Sequence, residues 1–591
     1  MARLQAPRIR GLRWFTRARL ALFGHEELAA ILFWAALVGF GGALASVAFR
    51  ETIRLLHWAF TGRLSGGFVE TAAALAGWHR VAVPVVGGLL AGAVLQLGSR
   101  LLGARRAVDY MEAVVVGDGA IAGRPTLLKS LSSLLSIASG ASIGREGPMV
   151  QLAALLGSKL AIAGSAPVPR RRLLVACGAA AGIAAAYNAP IAGALFVGEI
   201  VMGSIAMESF GPLLVAAVTA NATVHRFLGY GPIFEIPVFS FTSNWELIVY
   251  TVLGILLGHA APSFLALLTG AKRLFGALPL PLYVRLGLGG LVVGLLSLVY
   301  PQVWGNGYSV VDAILHGNLI GWMLVGVLVA KLASTAATVG SGAVGGVFTP
   351  TLFVGAALGS LAGVVAQWLF PHVVTGSGGY ALVGMGALLA ATTHAPLMSV
   401  LMIFEMTLDY QVVLPLILAC VTAHYTAKVY RRGTSVYEDA LRPATAEAQQ
   451  TWQLRTVGAL RKPPAAVVAR DTRVGDMLAR LPARPAETVY VVDEDGQLIA
   501  LLNPRTLLAR VRRREVAADA PVGEVAAVSG YSLTPEMSLT EALEIFLRER
   551  ATVLPLTSGQ WHTRLLGEVS RHDLLLAIQE RLSEARGSER R

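Results

Sequence analysis

Long, nearly uncharged apolar runs constrain this chain more than any motif does. They recur from about Leu28 to Tyr425, as in Leu28 to Phe49, Leu247 to Leu268, Trp322 to Val339 and Tyr380 to Phe404. Runs of this kind approach or exceed the roughly 20 residues that a helix needs to cross a bilayer. Hydrocarbon offers no partner to a backbone N–H or C=O, so such runs must fold as helices. Of the 591 residues, 55% are hydrophobic and 14% charged, where a soluble domain carries about 25% charge. The expected fold class is therefore an all-α polytopic membrane protein. Shorter runs broken by Gly or Pro read as half-helices, which a bilayer tolerates only where protein or a water-filled cavity pairs the broken backbone.

The formal charge of +13 is clustered. Arg3, Arg8, Arg10, Arg13, Arg17 and Arg19 precede the first apolar run; Arg170, Arg171 and Arg172 form one loop; Lys428, Arg431 and Arg432 follow the last run. Positive loops stay cytoplasmic, so both termini are expected there, in a multi-pass inner-membrane protein. Topology accounts for the basic balance without nucleic acid. The basic stretch 1–27 leads into a run long enough to span, so it is not read as a cleaved leader. Cys177 and Cys420 sit inside apolar runs and read as small buried hydrophobes.

The apolar part repeats itself. Gly87-Gly88-Leu89 and Gly92 recur as Gly289-Gly290-Leu291 and Gly294; Lys129 recurs as Lys331; Gly144 and Pro148 recur as Gly346 and Pro350, all at an offset of 202. Gly178 to Glu199 matches Gly384 to Glu405, and Ala189-Pro190 pairs with Ala395-Pro396 at an offset of 206. The repeat halves run from about 81 to 223 and from 283 to 425. Duplicated halves with interrupted helices are a mark of transport folds, whose sites lie where half-helix ends meet near the midplane.

Composition changes after Arg432. A membrane domain over 28–437 is followed by a polar linker, 438–464, a soluble region, 465–583, and a short tail, 584–591. In the soluble region the order strand, turn, strand, helix occurs twice, at Thr488 to Asp493 with Leu498 to Leu502, and at Thr552 to Leu556 with Leu565 to Val569 and Arg571 to Leu582. This reads as a small α+β pair.

Chemistry concentrates at Gly144-Arg145-Glu146-Gly147-Pro148. Glycines let the backbone turn tightly, and Pro148 suits the first turn of the helix that follows. A helix N-terminus presents unpaired N–H groups and partial positive charge, a ready anion site. Glu146 is placed to occupy that site itself, as a tethered competitor of a free anion. The repeat mate, Gly345-Gly346-Val347-Phe348-Thr349-Pro350, is a second glycine-rich turn into a helix without a charge of its own. There the N–H groups of Val347 and Phe348 are candidates to meet the anion.

These loops and Thr434-Ser435-Val436-Tyr437 resemble the CLC family of voltage-gated chloride channels and proton/chloride antiporters, over roughly residues 28 to 440. Asp109-Tyr110-Met111-Glu112-Ala113 and Trp304-Gly305-Asn306-Gly307-Tyr308 are similar to its bacterial ClcB-type branch. The resemblance implies inverted repeats, a homodimer with one pore per subunit, and chloride as transported ligand. It implies Glu146 as the gate, and an anion site built from Gly144, Arg145, Gly147, Val347, Phe348 and the hydroxyl of Tyr437. A phenol donates to chloride without a charge that would trap it.

Two departures qualify it. Many members carry Gly-Ser-Gly-Ile-Pro where this chain has Arg105-Arg106-Ala107-Val108-Asp109, so the serine of the inner anion site is absent, and preference among chloride, nitrate and fluoride stays open. Antiporters of the family often place a proton-carrying glutamate second of two after the Pro190 helix. Here Glu199 is followed by Ile200, which carries no proton. The expectation is anion transport that is channel-like or weakly proton-coupled, with proton/chloride antiport as the alternative. A membrane enzyme or metal transporter would need clustered ligands in the spans, and His394 and Glu405 stand eleven residues apart with no third, so neither catalysis nor a resident metal is expected.

The soluble pair resembles two CBS modules. Ser570 and Asp573 match a signature that contacts the ribose of adenine nucleotides; the first module has Asn503-Pro504-Arg505-Thr506, without the acid. Nucleotide binding is the weaker expectation; dimerisation and regulation of the pore is the preferred one.

Overall fold

In a computed structural model the described residues are 27–63, 66–101, 108–203, 207–229, 231–234, 236, 243–374, 376–431, 435, 456–480, 488–526, 531–549, 551–559 and 564–578. They form two compact units, divided between Arg442 and Pro443. Tyr437, Arg105, Arg106 and the segments 1–26 and 584–591 lie outside the described residues.

The described residues of the first unit are mainly helical. Among the described residues, seven helices are long and apolar enough to cross a membrane: Ala29–Thr61, Gly77–Leu101, Glu246–Ala277, Leu282–Val299, Gly321–Ser341, Phe348–Leu369 and Tyr410–Tyr430. Large apolar side chains such as Phe33, Phe40, Trp322 and Trp368 point outward, as a lipid-facing surface requires. One expected span is corrected. The run Tyr380 to Phe404 is two helices, Ser377–Thr393 and Pro396–Thr407. His394 takes a left-handed conformation (φ 60°) between them, and the residue before a proline is held out of the helical region. The other half breaks at the equivalent place: Asn188 (φ 52°) stands between Val168–Tyr187 and Pro190–Leu195. A second correction concerns Arg170, Arg171 and Arg172, which lie near the start of helix Val168–Tyr187 rather than in a loop. There Arg172 donates to the carbonyl of Gly117 and Arg171 pairs with Asp118.

The repeat is inverted. Gly88 abuts the carbonyl of Leu286 and Gly290 abuts that of Pro84; Gly92 abuts Tyr283 and Gly294 abuts Val81. Pro84 and Leu286, and Val81 and Tyr283, are themselves repeat mates. Each contact is thus exchanged for its equivalent, and the pairs run in opposite directions along Gly77–Leu101 and Leu282–Val299. Only a twofold axis crossing the two helices produces that pattern. A Cβ at either central glycine would strike backbone, so small residues let the helices touch at closest approach.

In the second unit, strands Val467–Ala469, Val489–Val492 and Leu498–Leu502 form one sheet, and Val553–Thr557 and Leu565–Ser570 form another. Each half has its own apolar core. The end of the segment read as a linker is structured. Val457 is fully buried in the core of the second half, and the N–H of Lys462 bonds the carbonyl of Glu568. Two apolar residues in a polar stretch, Val457 and Leu460, are too short a pattern to read from sequence.

Candidate functional site

The two glycine-rich loops meet. Gly144 and Gly346 form an antiparallel bridge, with N–H to C=O distances of 2.8 and 2.9 Å in the two directions. Two equivalent residues exchanging hydrogen bonds place the twofold axis between the loops. Each loop leads into a helix, Glu146–Ala163 and Phe348–Leu369, so two helix N-termini converge on one place.

Glu146 lies between them. It is the first residue of its own helix, yet its carboxylate reaches the start of the other. Oε1 accepts from the N–H groups of Phe348 (3.1 Å) and Thr349 (3.2 Å), and Oε2 from the hydroxyl of Thr349 (3.1 Å). Phe348 is the repeat mate of Glu146. The side chain is 4% exposed. An ionised carboxylate survives such burial only with this kind of donor set. Gly144 and Gly346 abut the carboxylate, and any side chain at either would occupy its space. The glycines therefore form the walls of a slot for an anion. The Thr349 hydroxyl also meets that of Tyr187 at 3.1 Å. Since Thr349 donates to Glu146, Tyr187 donates to Thr349, and the phenol anchors the chain of bonds. The ring of Tyr187 packs on Phe348, centroids 4.8 Å apart.

The remaining residues fall into place around this slot. Arg145 is half-buried, with its guanidinium 5.7 Å from the ring centre of Tyr308, a cation–π contact. Gly147 lies against the Gly345–Gly346 peptide. Val347 is the residue before the second helix, and its carbonyl accepts from Thr351. Thr349 takes the second donor position beside Phe348. Sequence reading missed Thr349 because its repeat mate, Gly147, carries no hydroxyl to draw attention to it. A cavity of about 480 Å³ opens beside the slot, lined by Glu146, Gly147, Val347 and Phe348 together with Asp109, Lys129 and Lys272.

A pair of carboxylates, Glu199 and Glu405, has a different place. Glu199 accepts from the N–H groups of Leu397 (3.3 Å) and Met398 (2.8 Å); Glu405 accepts from those of Ile191 (2.9 Å) and Ala192 (2.8 Å). Each therefore caps the half-helix of the opposite repeat, through equivalent atoms. Ile200 follows Glu199 in a π-helical turn, Phe196–Val201, and packs against the apolar core. No carboxylate occupies its position. Among the described residues there is no cluster of three or more metal-ligating side chains, and both cysteines are buried thiols.

In the soluble unit, Ser570 and Asp573 are engaged with each other: the Ser570 hydroxyl bonds the Asp573 carboxylate, and the Asp573 N–H returns a bond to Ser570 (3.1 Å). Together they cap the helix 571–578. Lys462 adds an ion pair to Asp573 at 2.8 Å. These two partners hold the Asp573 carboxyl below the usual carboxylate range. Asn503 caps Pro504–Arg512 in the same way in the first half, accepting from Arg505 and Thr506.

Comparison with known proteins agrees with this geometry. The family described as voltage gated chloride channel matches residues 87–428, and the CBS domain matches residues 517–580. A ClcB-like protein of Ralstonia nicotianae is 56% identical over 411 residues, covering 69% of this chain and 95% of that one. A voltage-gated ClC-type chloride channel ClcB of Salmonella typhimurium is 42% identical over 409 residues, covering 68% and 97%. The soluble unit thus extends this chain beyond those relatives. A slow cyanobacterial Cl−/H+ antiporter has a similar structure, with a TM-score of 0.62 and 26% identity over 71% of this chain and 99% of that one. A eukaryotic CLC transporter shares the fold over 92% of this chain and 98% of that one, with a TM-score of 0.59 and 19% identity. The chain belongs to the CLC family of voltage-gated chloride channels.

Proposed function

We propose that this chain carries chloride through the slot between the Gly144 and Gly346 loops, with Glu146 as its gate. One observation carries the reading: the Glu146 carboxylate fills an anion site made of two helix N-terminal N–H groups and a hydroxyl. A free anion needs the same donors. Protonation or displacement of the carboxylate vacates them. Transport then needs no chemical catalysis. Val347, Gly144, Gly147 and Arg145 shape the path, and Tyr437 is proposed to supply a hydroxyl to the inner site.

We favour channel-like or weakly coupled transport. Ile200, at the place where a proton carrier is needed, supports it. Antiport remains a second reading, supported by the likeness to the cyanobacterial antiporter. The clusters of basic residues support a bacterial inner-membrane protein with cytoplasmic termini, and the resemblance supports a homodimer. For the soluble pair, regulation of the pore is the preferred role. A nucleotide at Ser570 and Asp573 would have to displace Lys462.

The test is chloride flux from liposomes with the membrane potential clamped and proton flux followed together, for wild type and Glu146→Ala. The reading expects ungated chloride flux in the variant and no proton movement at a fixed ratio to chloride in either. Uphill proton movement at a fixed ratio in the wild type overturns the channel-like reading. Unchanged gating in Glu146→Ala overturns the gate.

A further inference from the structure

The cavity beside Glu146 holds a second carboxylate. Helix Tyr110–Val115 begins at Asp109, whose Oδ1 accepts the N–H of Met111 at 2.9 Å. The peptide groups around Asp109 are held by one side chain of the gate helix. Gln151 accepts from the N–H of Tyr110 (2.9 Å) and donates to the carbonyl of Val108 (3.0 Å). Asp109 is exposed, and the surface it lines is the wall of the cavity. The short helix at the same place in the other half, Tyr308–Leu315, starts after Gly307, so the scaffold does not demand an acid here.

The charged groups around it are known. Lys129 of Gly123–Ala138 and Glu112 of its own short helix act on it electrostatically, and Lys272 of Glu246–Ala277 and Glu146 of the gate helix line the same cavity. Two ammonium groups draw anions into a cavity from which Asp109 repels them. We infer that Asp109 is an electrostatic throttle on the anion path: charged, it lowers anion occupancy of the cavity, and neutralised by a proton it raises it. Fixed charges lining a narrow, partly desolvated cavity act on a mobile ion far more strongly than in bulk water. This rests on the reading of the cavity as the anion path.

The assignment separates a charge from a cap. Asn and Ser both serve as N-caps, so Asp109→Asn and Asp109→Ser keep the helix start and remove the charge. In full-length protein reconstituted in liposomes, both are expected to raise chloride flux at neutral pH by about fivefold, and Lys129→Met to lower it by a similar factor. In a Glu146→Ala background, symmetric acidification from about pH 7.5 to about pH 4 should raise flux through protonation of Asp109. In Glu146→Ala/Asp109→Asn the response should be flat. If the acid response persists in that double variant, or if Asp109→Asn and Asp109→Ser leave flux unchanged while Lys129→Met lowers it, the throttle is overturned and the path stands. If all three single variants leave flux unchanged, the cavity is not the anion path and the parent reading falls with it.

Discussion

The two halves of the membrane unit share a backbone and divide its chemistry. At the crossing point, Gly144 and Gly346 are the same residue in the same hydrogen-bonding role. The residues that follow them differ: Arg145-Glu146-Gly147 in one half, Val347-Phe348-Thr349 in the other. One half supplies the tethered anion and the other supplies the donors that hold it. Glu146 bonding the N–H of its own repeat mate states that division in a single contact. The lysines divide in the same way. Lys331 is fully buried and donates to the carbonyls of Val303 (2.9 Å) and Gly305 (2.7 Å). Lys129 lines the cavity. Where the halves keep the same residue in the same role they build the scaffold, and where residue or role differs the chemistry of the slot and cavity is found.

The largest way to break that comparison is at Glu146. Glu146→Ala empties the slot while leaving both glycine walls and all scaffold contacts in place. Chloride flux at neutral pH is expected to rise by at least about tenfold, since the variant loses three hydrogen bonds to a charged group, each worth about 1.5–3 kcal/mol. The steep dependence of flux on pH should disappear, leaving the shallow response assigned to Asp109. In chloride-containing buffer a bound anion takes over the vacated donors, so the detergent-solubilised protein should unfold at a temperature within a few degrees of wild type.

Lys331→Met should show the opposite profile. It removes the one ammonium that donates to two buried carbonyls, which costs about 2–4 kcal/mol of stability. Lys129→Met alters flux and not the melting temperature. Thermal unfolding followed by size-exclusion chromatography separates the two; equal destabilisation by both would show that the lysines had not diverged.

The cross-caps sharpen the same point with a symmetric pair. Glu199→Gln and Glu405→Gln each weaken a carboxylate that receives two N–H groups from the opposite half-helix. Each is expected to lower stability by about 1–2 kcal/mol, and by similar amounts. A strong effect of Glu199→Gln on proton movement, with none from Glu405→Gln, would make Glu199 a proton carrier and undo its assignment as scaffold.

Much of this arrangement was legible in the sequence, because a repeat is a statement about symmetry. The 202 offset already paired Gly144 with Gly346 and Lys129 with Lys331, and a carboxylate at the start of one half-helix implied an anion site. What stayed hidden were contacts between halves. Nothing in Pro396-Leu397-Met398 announces that Glu199 will cap it, since the partners are separated by some two hundred residues and meet only through the twofold axis. The break at His394 was lost inside an apolar run because hydropathy does not register a single left-handed residue. Asp109 belongs to a stretch similar to the family's, but its place on the wall of the Glu146 cavity depends on the loop that Gln151 holds. Lys462 could not be connected to Asp573 from a segment that reads as a polar linker.

The finest test lies in the donor half. Thr349→Val keeps the backbone N–H that meets Glu146 and removes the hydroxyl that donates to Oε2, at nearly constant volume. It also leaves the Tyr187 hydroxyl without its acceptor on Thr349. The loss of one charge-assisted bond loosens the carboxylate by about 1 kcal/mol after water replaces part of it, so flux at neutral pH should rise about fivefold, well short of Glu146→Ala. In Glu146→Ala the Thr349 hydroxyl has no carboxylate to hold, and adding Thr349→Val should change flux little. If Thr349→Val raises flux equally in both backgrounds, the hydroxyl acts on the passing anion rather than on the gate. The donor half would then be part of the path and not only the latch.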